Sequence, residues 1–142
     1  MSHAPQFETA PGGLSKRAAR RLIQRAFVLA GRDRRVRQHT REIELVSIWA
    51  IEDWELEWTV QIRRGRLEFD RRLARQPDIR VSWEKAEALW SESERSPAGP
   101  LACRYEGPAE ARRMWEIVYH AFRAALSDLL RNPVDENGTS LV

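Results

Sequence analysis

Between residues 54 and 83 apolar and polar side chains alternate so regularly that few folds can hold the chain. Leu56, Trp58, Val60 and Ile62 alternate with Glu55, Glu57, Thr59, Gln61 and Arg63. Arg64-Gly65 breaks the run, and Leu67 and Phe69 then alternate with Arg66, Glu68 and Asp70. Pro77-Asp78 leads into Ile79, Val81 and Trp83, which alternate with Arg80 and Ser82. A side-chain period of two gives each strand one dry and one wet face. The first two strands form a hairpin through Arg63-Arg64-Gly65-Arg66, where Gly65 supplies a positive φ at low cost. A sheet with one dry face needs a cover, and what lies between sheet and cover is either packed core or a pocket.

The flanking segments supply that cover. Ser15 is placed to cap a helix from Lys16 to about Ala30, with Gly31 as its stop. Ala19, Leu22, Ile23, Ala26, Phe27 and Ala30 share one face of it, and Arg17, Arg21, Gln24 and Arg25 lie opposite. A basic turn or short linker follows, to Arg41. From Glu42 to Asp53 a strand has Ile43, Leu45, Trp49 and Ile51 on one face and Val46, Ile48 and Ala50 on the other. Apolar residues on both faces predict a strand more buried than its neighbours. Ser82 is placed to cap a short helix with Ala86, Leu89 and Trp90 inward. Ser96 to Pro100 reads as a loop, and Leu101, Cys103 and Tyr105 as a fifth strand. Pro108 suits the first position of a long helix whose stripe is Met114, Ile117, Val118, Ala121, Phe122, Ala125, Leu126 and Leu129. That helix ends before Asn132-Pro133, after some 23 residues or about 35 Å. The pattern predicts an α+β fold: a five-stranded, mainly antiparallel sheet with helices covering one face. Residues 1–14 read as a flexible tail, 15–132 as a single domain and 133–142 as a second flexible tail.

The run Trp58-Thr-Val-Gln-Ile-Arg-Arg-Gly65-Arg-Leu-Glu-Phe69 carries a resemblance, with Pro77-Asp-Ile-Arg-Val-Ser-Trp83, Leu89-Trp90 and Glu106-Gly107. In this order of strand, glycine turn, strand, aspartate-led strand and short helix, the chain resembles the sterol carrier protein type-2 (sterol-binding domain) family. The likeness spans about Ile43 to Gly107. It implies a sterol-carrier-like sheet and an apolar ligand held between sheet and helices. One long helix from Pro108 stands where the family closes with a short helix and a strand.

Six tryptophans are many for 142 residues. They are either core or the lining of an apolar cavity. Read as lining, the candidates are Phe27, Trp49, Trp58, Val60, Trp83, Leu89, Trp90, Val118 and Phe122. The ligand would be a lipid, acyl chain, terpenoid or polyketide. Burying about 300 Å² of it would contribute roughly 7–8 kcal/mol before association costs. An enzyme or accessory factor acting on a hydrophobic biosynthetic substrate in the same cavity is the alternative. No catalytic motif, cofactor motif or metal-ligand spacing is present. Glu116 and His120 sit four apart on the wet face of the long helix, as an ordinary surface pair does. His39 has no second ligand near it in sequence, and Cys103 is alone, which excludes an internal disulfide.

Charge is unevenly distributed. Residues 1–41 carry +8 and the remainder −5. Arg17, Arg21 and Arg25 on a helix with an apolar opposite face could meet an anionic surface, whether lipid or nucleic acid. A solvated face balancing the acidic remainder is the plainer reading. No apolar run reaches the roughly 18–20 residues that span a bilayer, and the first residues lack an apolar signal core, so a soluble cytoplasmic protein is expected.

Overall fold

The computed structural model describes residues 9–10, 14–94, 103–135 and 137–141. Two short strands, β1 (Thr9–Ala10) and β2 (Leu14–Ser15), pair antiparallel ahead of helix α1 (Lys16–Arg32). Next come α2 (Arg34–His39), β3 (Glu44–Ile51), β4 (Leu56–Arg63), β5 (Arg66–Asp70) and β6 (Ile79–Trp83). The chain continues through α3 (Ala86–Glu94), β7 (Arg104–Glu106) and α4 (Ala109–Arg131). The main sheet has the order β5-β4-β3-β6-β7. Only the β3–β6 pair is parallel. The fold is therefore the expected α+β, five-stranded and mainly antiparallel, and β3, apolar on both faces, takes the centre.

Alternation sets the register. Trp49 lies opposite Trp58, Val60 opposite Phe69, and Ile51 opposite Trp83. All these face the helices. On the other face, Ile48 and Ala50 are also buried. An ion pair between Arg80 and Glu57 (3.0 Å) reaches across β3 from its two neighbours, at the positions opposite Ile48 and Ala50. The aliphatic stem of Arg80 can shield these apolar side chains while its head stays wet. The β4–β5 turn has positive φ at both Arg64 and Gly65, as a two-residue hairpin of this hand requires.

Several local expectations are corrected. Gly31 does not stop α1, which runs on to Arg32. A β-carbon at Gly31 would lie 3.1 Å from that of Leu67, so the glycine lets helix and β5 approach closely. The stretch expected as a linker to Arg41 contains α2, whose N-cap Asp33 accepts from the backbone N–H of Arg35 and Val36. The N-terminus of α3 is served by Asp53, from the β3–β4 turn, which accepts from Ala86 N–H at 3.0 Å. Ser82 instead lies within β6. Pro108 is the N-cap of α4, one residue before its first turn. After α4, Val134 and Ser140 form an isolated antiparallel bridge, and the Asp135 carboxylate accepts from Asn137 and Thr139 N–H. Leu101 and the loop from Ser96 to Pro100 lie outside the described residues, as does most of the 1–14 segment.

The stripe of α4 that meets the sheet is Ala111, Trp115, Val118, Tyr119, Phe122, Leu126 and Leu129. Met114, Ile117, Ala121 and Ala125, expected on that stripe, are only half-buried beside it. The helix thus carries one broad apolar stripe, whose aromatic side is the more deeply buried.

Candidate functional site

The nine residues expected to line a cavity do come together between sheet and helices, and all are buried. Their rings pack on one another. Phe27 meets Trp49 edge-on at 5.0 Å and lies 5.0 Å from Phe122; Trp49 also lies 4.9 Å from Phe122 and 5.9 Å from Trp83. Rings absent from the expected set join the cluster, among them two from α4. Trp115 stacks on Tyr119 at 4.5 Å, and both are fully buried. Their positions sit at helical spacing from Val118 and Phe122, the signal that would have found them. Any ligand entering here must part these contacts.

The polar groups in this interior divide into two kinds. Trp49 donates its indole N–H to Ser47 Oγ at 3.0 Å, and Ser47 donates in turn to the Val60 carbonyl at 2.8 Å. A serine in the dry row of β3 thereby serves the central tryptophan. By contrast, the indole nitrogens of Trp58, Trp90 and Trp115 have no acceptor among the described residues. At the margin, burial first and the Cys103 thiol second push the Tyr105 hydroxyl well above its ordinary value. The Arg112 guanidinium over the Tyr105 ring, 4.0 Å away, works in the opposite direction.

A different site lies on the surface. A concave region of about 340 Å³ is lined by Arg34, Arg37, Gln38 and Arg41 from α2 and the turn after it, and by Arg64, Gly65 and Arg66 from the β4–β5 hairpin. All five arginines are exposed. No acidic residue lines the cup, and none of the five forms an ion pair with a carboxylate among the described residues. Local backbone chemistry holds it in shape. Gly65 is buried, and a β-carbon there would meet the Arg37 carbonyl at 3.1 Å, so the hairpin tip rests on the backbone of α2. Arg64 N–H donates to the Ile43 carbonyl at 3.1 Å, tying the tip to the chain that leaves α2. Five like charges gathered around one concavity repel one another, and an anion relieves that repulsion.

The basic face expected from Arg17, Arg21 and Arg25 is separate from the cup. Arg17 and Arg21 are exposed on α1, whereas Arg25 is half-buried with its Nε out of solvent. Arg17 is the second residue of α1, which is 17 residues or about 25 Å long, so it lies nearly a helix length from α2. The fold pairs the arginines that follow α1, and not those on it, with arginines from the hairpin. His120 is exposed, and Glu116 lies 3.5 Å from Arg112 in an i,i+4 pair. No cluster of three or more His, Cys, Asp or Glu suited to a metal ion occurs among the described residues. No helix among them is long and apolar enough to cross a membrane.

No family model matches the chain. No curated protein matches it either. Among solved structures it is similar to the stereoselective inverting sec-alkylsulfatase Pisa1 from Pseudomonas sp., at 16% identity over 58% of this chain, with a TM-score of 0.47. A double mutant of the sec-alkyl sulfatase PisA1 is similar at 13% identity over 57% of the chain, also with a TM-score of 0.47. The chain spans 14% of the length of each. Likeness at this level bears on neither fold nor activity.

Proposed function

We infer that this protein is a binding module for a phosphate-bearing ligand, held in the arginine cup between α2 and the β4–β5 hairpin. The observation that carries this reading is five exposed arginines converging on one concavity without an acid among them. Guanidinium forks match phosphate oxygens two at a time, which a point charge cannot do. No aromatic residue lines the cup, so it offers no platform on which a base would stack. No large apolar residue lines it either, so it lacks the wedge by which a membrane-surface helix anchors. The chemistry recognised is the phosphate itself, from a nucleic-acid backbone or a free polyphosphate.

Fluorescence anisotropy separates the sources. Labelled duplex and single-stranded DNA are titrated with protein, tripolyphosphate is added as competitor, and anionic vesicles form a fourth arm. The cup reading expects tripolyphosphate or DNA to bind, with an affinity that falls steeply as salt rises. The double substitution Arg37→Ala/Arg66→Ala is expected to weaken binding by about tenfold or more. Binding to vesicles alone, or binding unmoved by that substitution, would refute it.

A second reading keeps the interior as the site of an apolar ligand, consistent with the sterol-carrier resemblance. What favours it is the three indole N–H groups of Trp58, Trp90 and Trp115, buried without an acceptor. Unpaired buried donors are costly, and a ligand with a carbonyl or hydroxyl oxygen would satisfy one. Titration with fatty acids, sterols and acyl-CoA, followed by intrinsic fluorescence, tests it. Unchanged emission at tens of micromolar ligand would end this reading.

A further inference from the structure

The opposite flank of α2 faces α4 across an open groove of about 480 Å³. Its floor is Val36 from α2 with Ile117, Ala121 and Ala124 from α4. Val36 is fully buried, Ile117 and Ala121 are half-exposed, and Ala124 is exposed. Ile117 and Ala121 lie at the edge of the apolar stripe of α4, where burial is only partial. The rim is polar: Arg35 and His39 on α2, His120 on α4, and Asp33 at the N-terminus of α2. Asp33 already has a task, since its Oδ1 accepts from two backbone N–H groups of α2. His39 Nδ1 lies 2.8 Å from the Arg35 carbonyl. A carbonyl only accepts, so Nδ1 carries the proton and Nε2 is left as the ring's other hydrogen-bonding atom.

From this arrangement we propose that the α2–α4 groove binds an anionic amphiphile, a carboxylic acid whose apolar chain lies along Val36, Ile117, Ala121 and Ala124 and whose carboxylate meets Arg35 with His120. The volume is that of a small-molecule site, which commonly occupies about 300–1,000 Å³ and combines an apolar lining with a few polar groups. Charge complementarity favours the anion: Arg35 is the fixed cation on the rim, and the one carboxylate there, Asp33, is turned to the backbone N–H groups that begin α2. A docked protein helix fits poorly. The six residues of α2 extend only about 9 Å, short of the two turns over which a helix in a groove sets its anchors. The site is distinct from the arginine cup, which uses the other flank of α2, and from the tryptophan interior.

The experiment is an NMR titration of the full chain with octanoate, octanol and octyltrimethylammonium, following the Ile117, Ala121 and Val36 methyl signals and the His39 and His120 ring signals. Octanoate is expected to shift these groove signals and to bind about tenfold more tightly than octanol, with the cationic amphiphile weakest. Ala124→Trp fills the groove from an exposed position and is expected to abolish the shifts while leaving the rest of the spectrum intact. Arg35→Gln/His120→Gln is expected to remove the preference for octanoate over octanol and to retain the methyl shifts. Shifts confined to the interior indoles, equal affinity for all three probes, or no shift at all would each overturn the proposal. So would methyl shifts that appear on raising protein concentration without any probe, because a second copy would then be the occupant.

Discussion

At the scale of single residues, the interior turns on Trp49 and the serine beneath it. Trp49 contacts Phe27, Trp83, Trp115, Tyr119 and Phe122, and its indole N–H depends on Ser47 Oγ. Ser47→Ala removes that acceptor without changing the packing. It should cost about 1–3 kcal/mol, read as a lower urea midpoint at unchanged m-value. Trp115→Ala should cost roughly 3–5 kcal/mol, because a buried ring leaves a cavity its neighbours cannot fill. Tyr105 gives a pH signature. Its hydroxyl is raised above the ordinary tyrosine value by burial, so the fold prefers the protonated phenol. That contribution is complete below about pH 10, where an unfolded tyrosine titrates, and is lost as pH rises above it. An ultraviolet absorbance titration should therefore show Tyr105 ionising together with unfolding. Period-two alternation identified Trp58, Val60 and Trp83 as inward-facing without any structure. Ser47 could not be read this way, since a serine in a dry row looks like a lapse in the pattern until its two partners are seen.

At the scale of elements, the strands were legible and the joints were not. Strand periodicity is a local property of the chain, whereas Asp53 serving the first turn of α3 and Gly31 fitting against Leu67 depend on residues 33 and 36 positions away. Helix α2 has one apolar residue, Val36, and so no hydrophobic period to announce it. On α4 the aliphatic residues drew the stripe toward Met114, Ile117 and Ala121, while the sheet took the aromatic face. Two substitutions examine these joints. Asp33→Ala removes the α2 cap and should cost about 1 kcal/mol. It should also weaken polyanion binding, because α2 carries Arg34 and Arg37. Gly107→Ala is the harsher change. Its φ is +154°, and a β-carbon would come within 2.7 Å of the Asp78 carbonyl. A loss of roughly 1–3 kcal/mol is expected, measured by thermal or urea unfolding. The same Asp78 receives Val46 N–H on its carboxylate, so the strain falls on the start of the parallel β3–β6 pair.

At the scale of the whole molecule, charge and surface shape separate from the hydrophobic core. The basic excess of the first 41 residues was plain in sequence, and its use was not. Two of the five cup arginines come from the hairpin at 64–66, and only the fold brings them to α2. Aromatic rings pack on one another between sheet and helices, and two concave surfaces lie on either flank of a six-residue helix. On the proposed reading the cup, and not the exposed face of α1, recognises phosphate. The most direct measurement is calorimetric affinity for tripolyphosphate over a range of salt, in the wild type, in Arg37→Ala/Arg66→Ala and in Arg17→Ala/Arg21→Ala. The expected result is binding that weakens with salt, falls by about tenfold or more in the cup variant and stays within about twofold of wild type in the α1 variant. A cup variant that binds like wild type, or an α1 variant that alone loses binding, would contradict it.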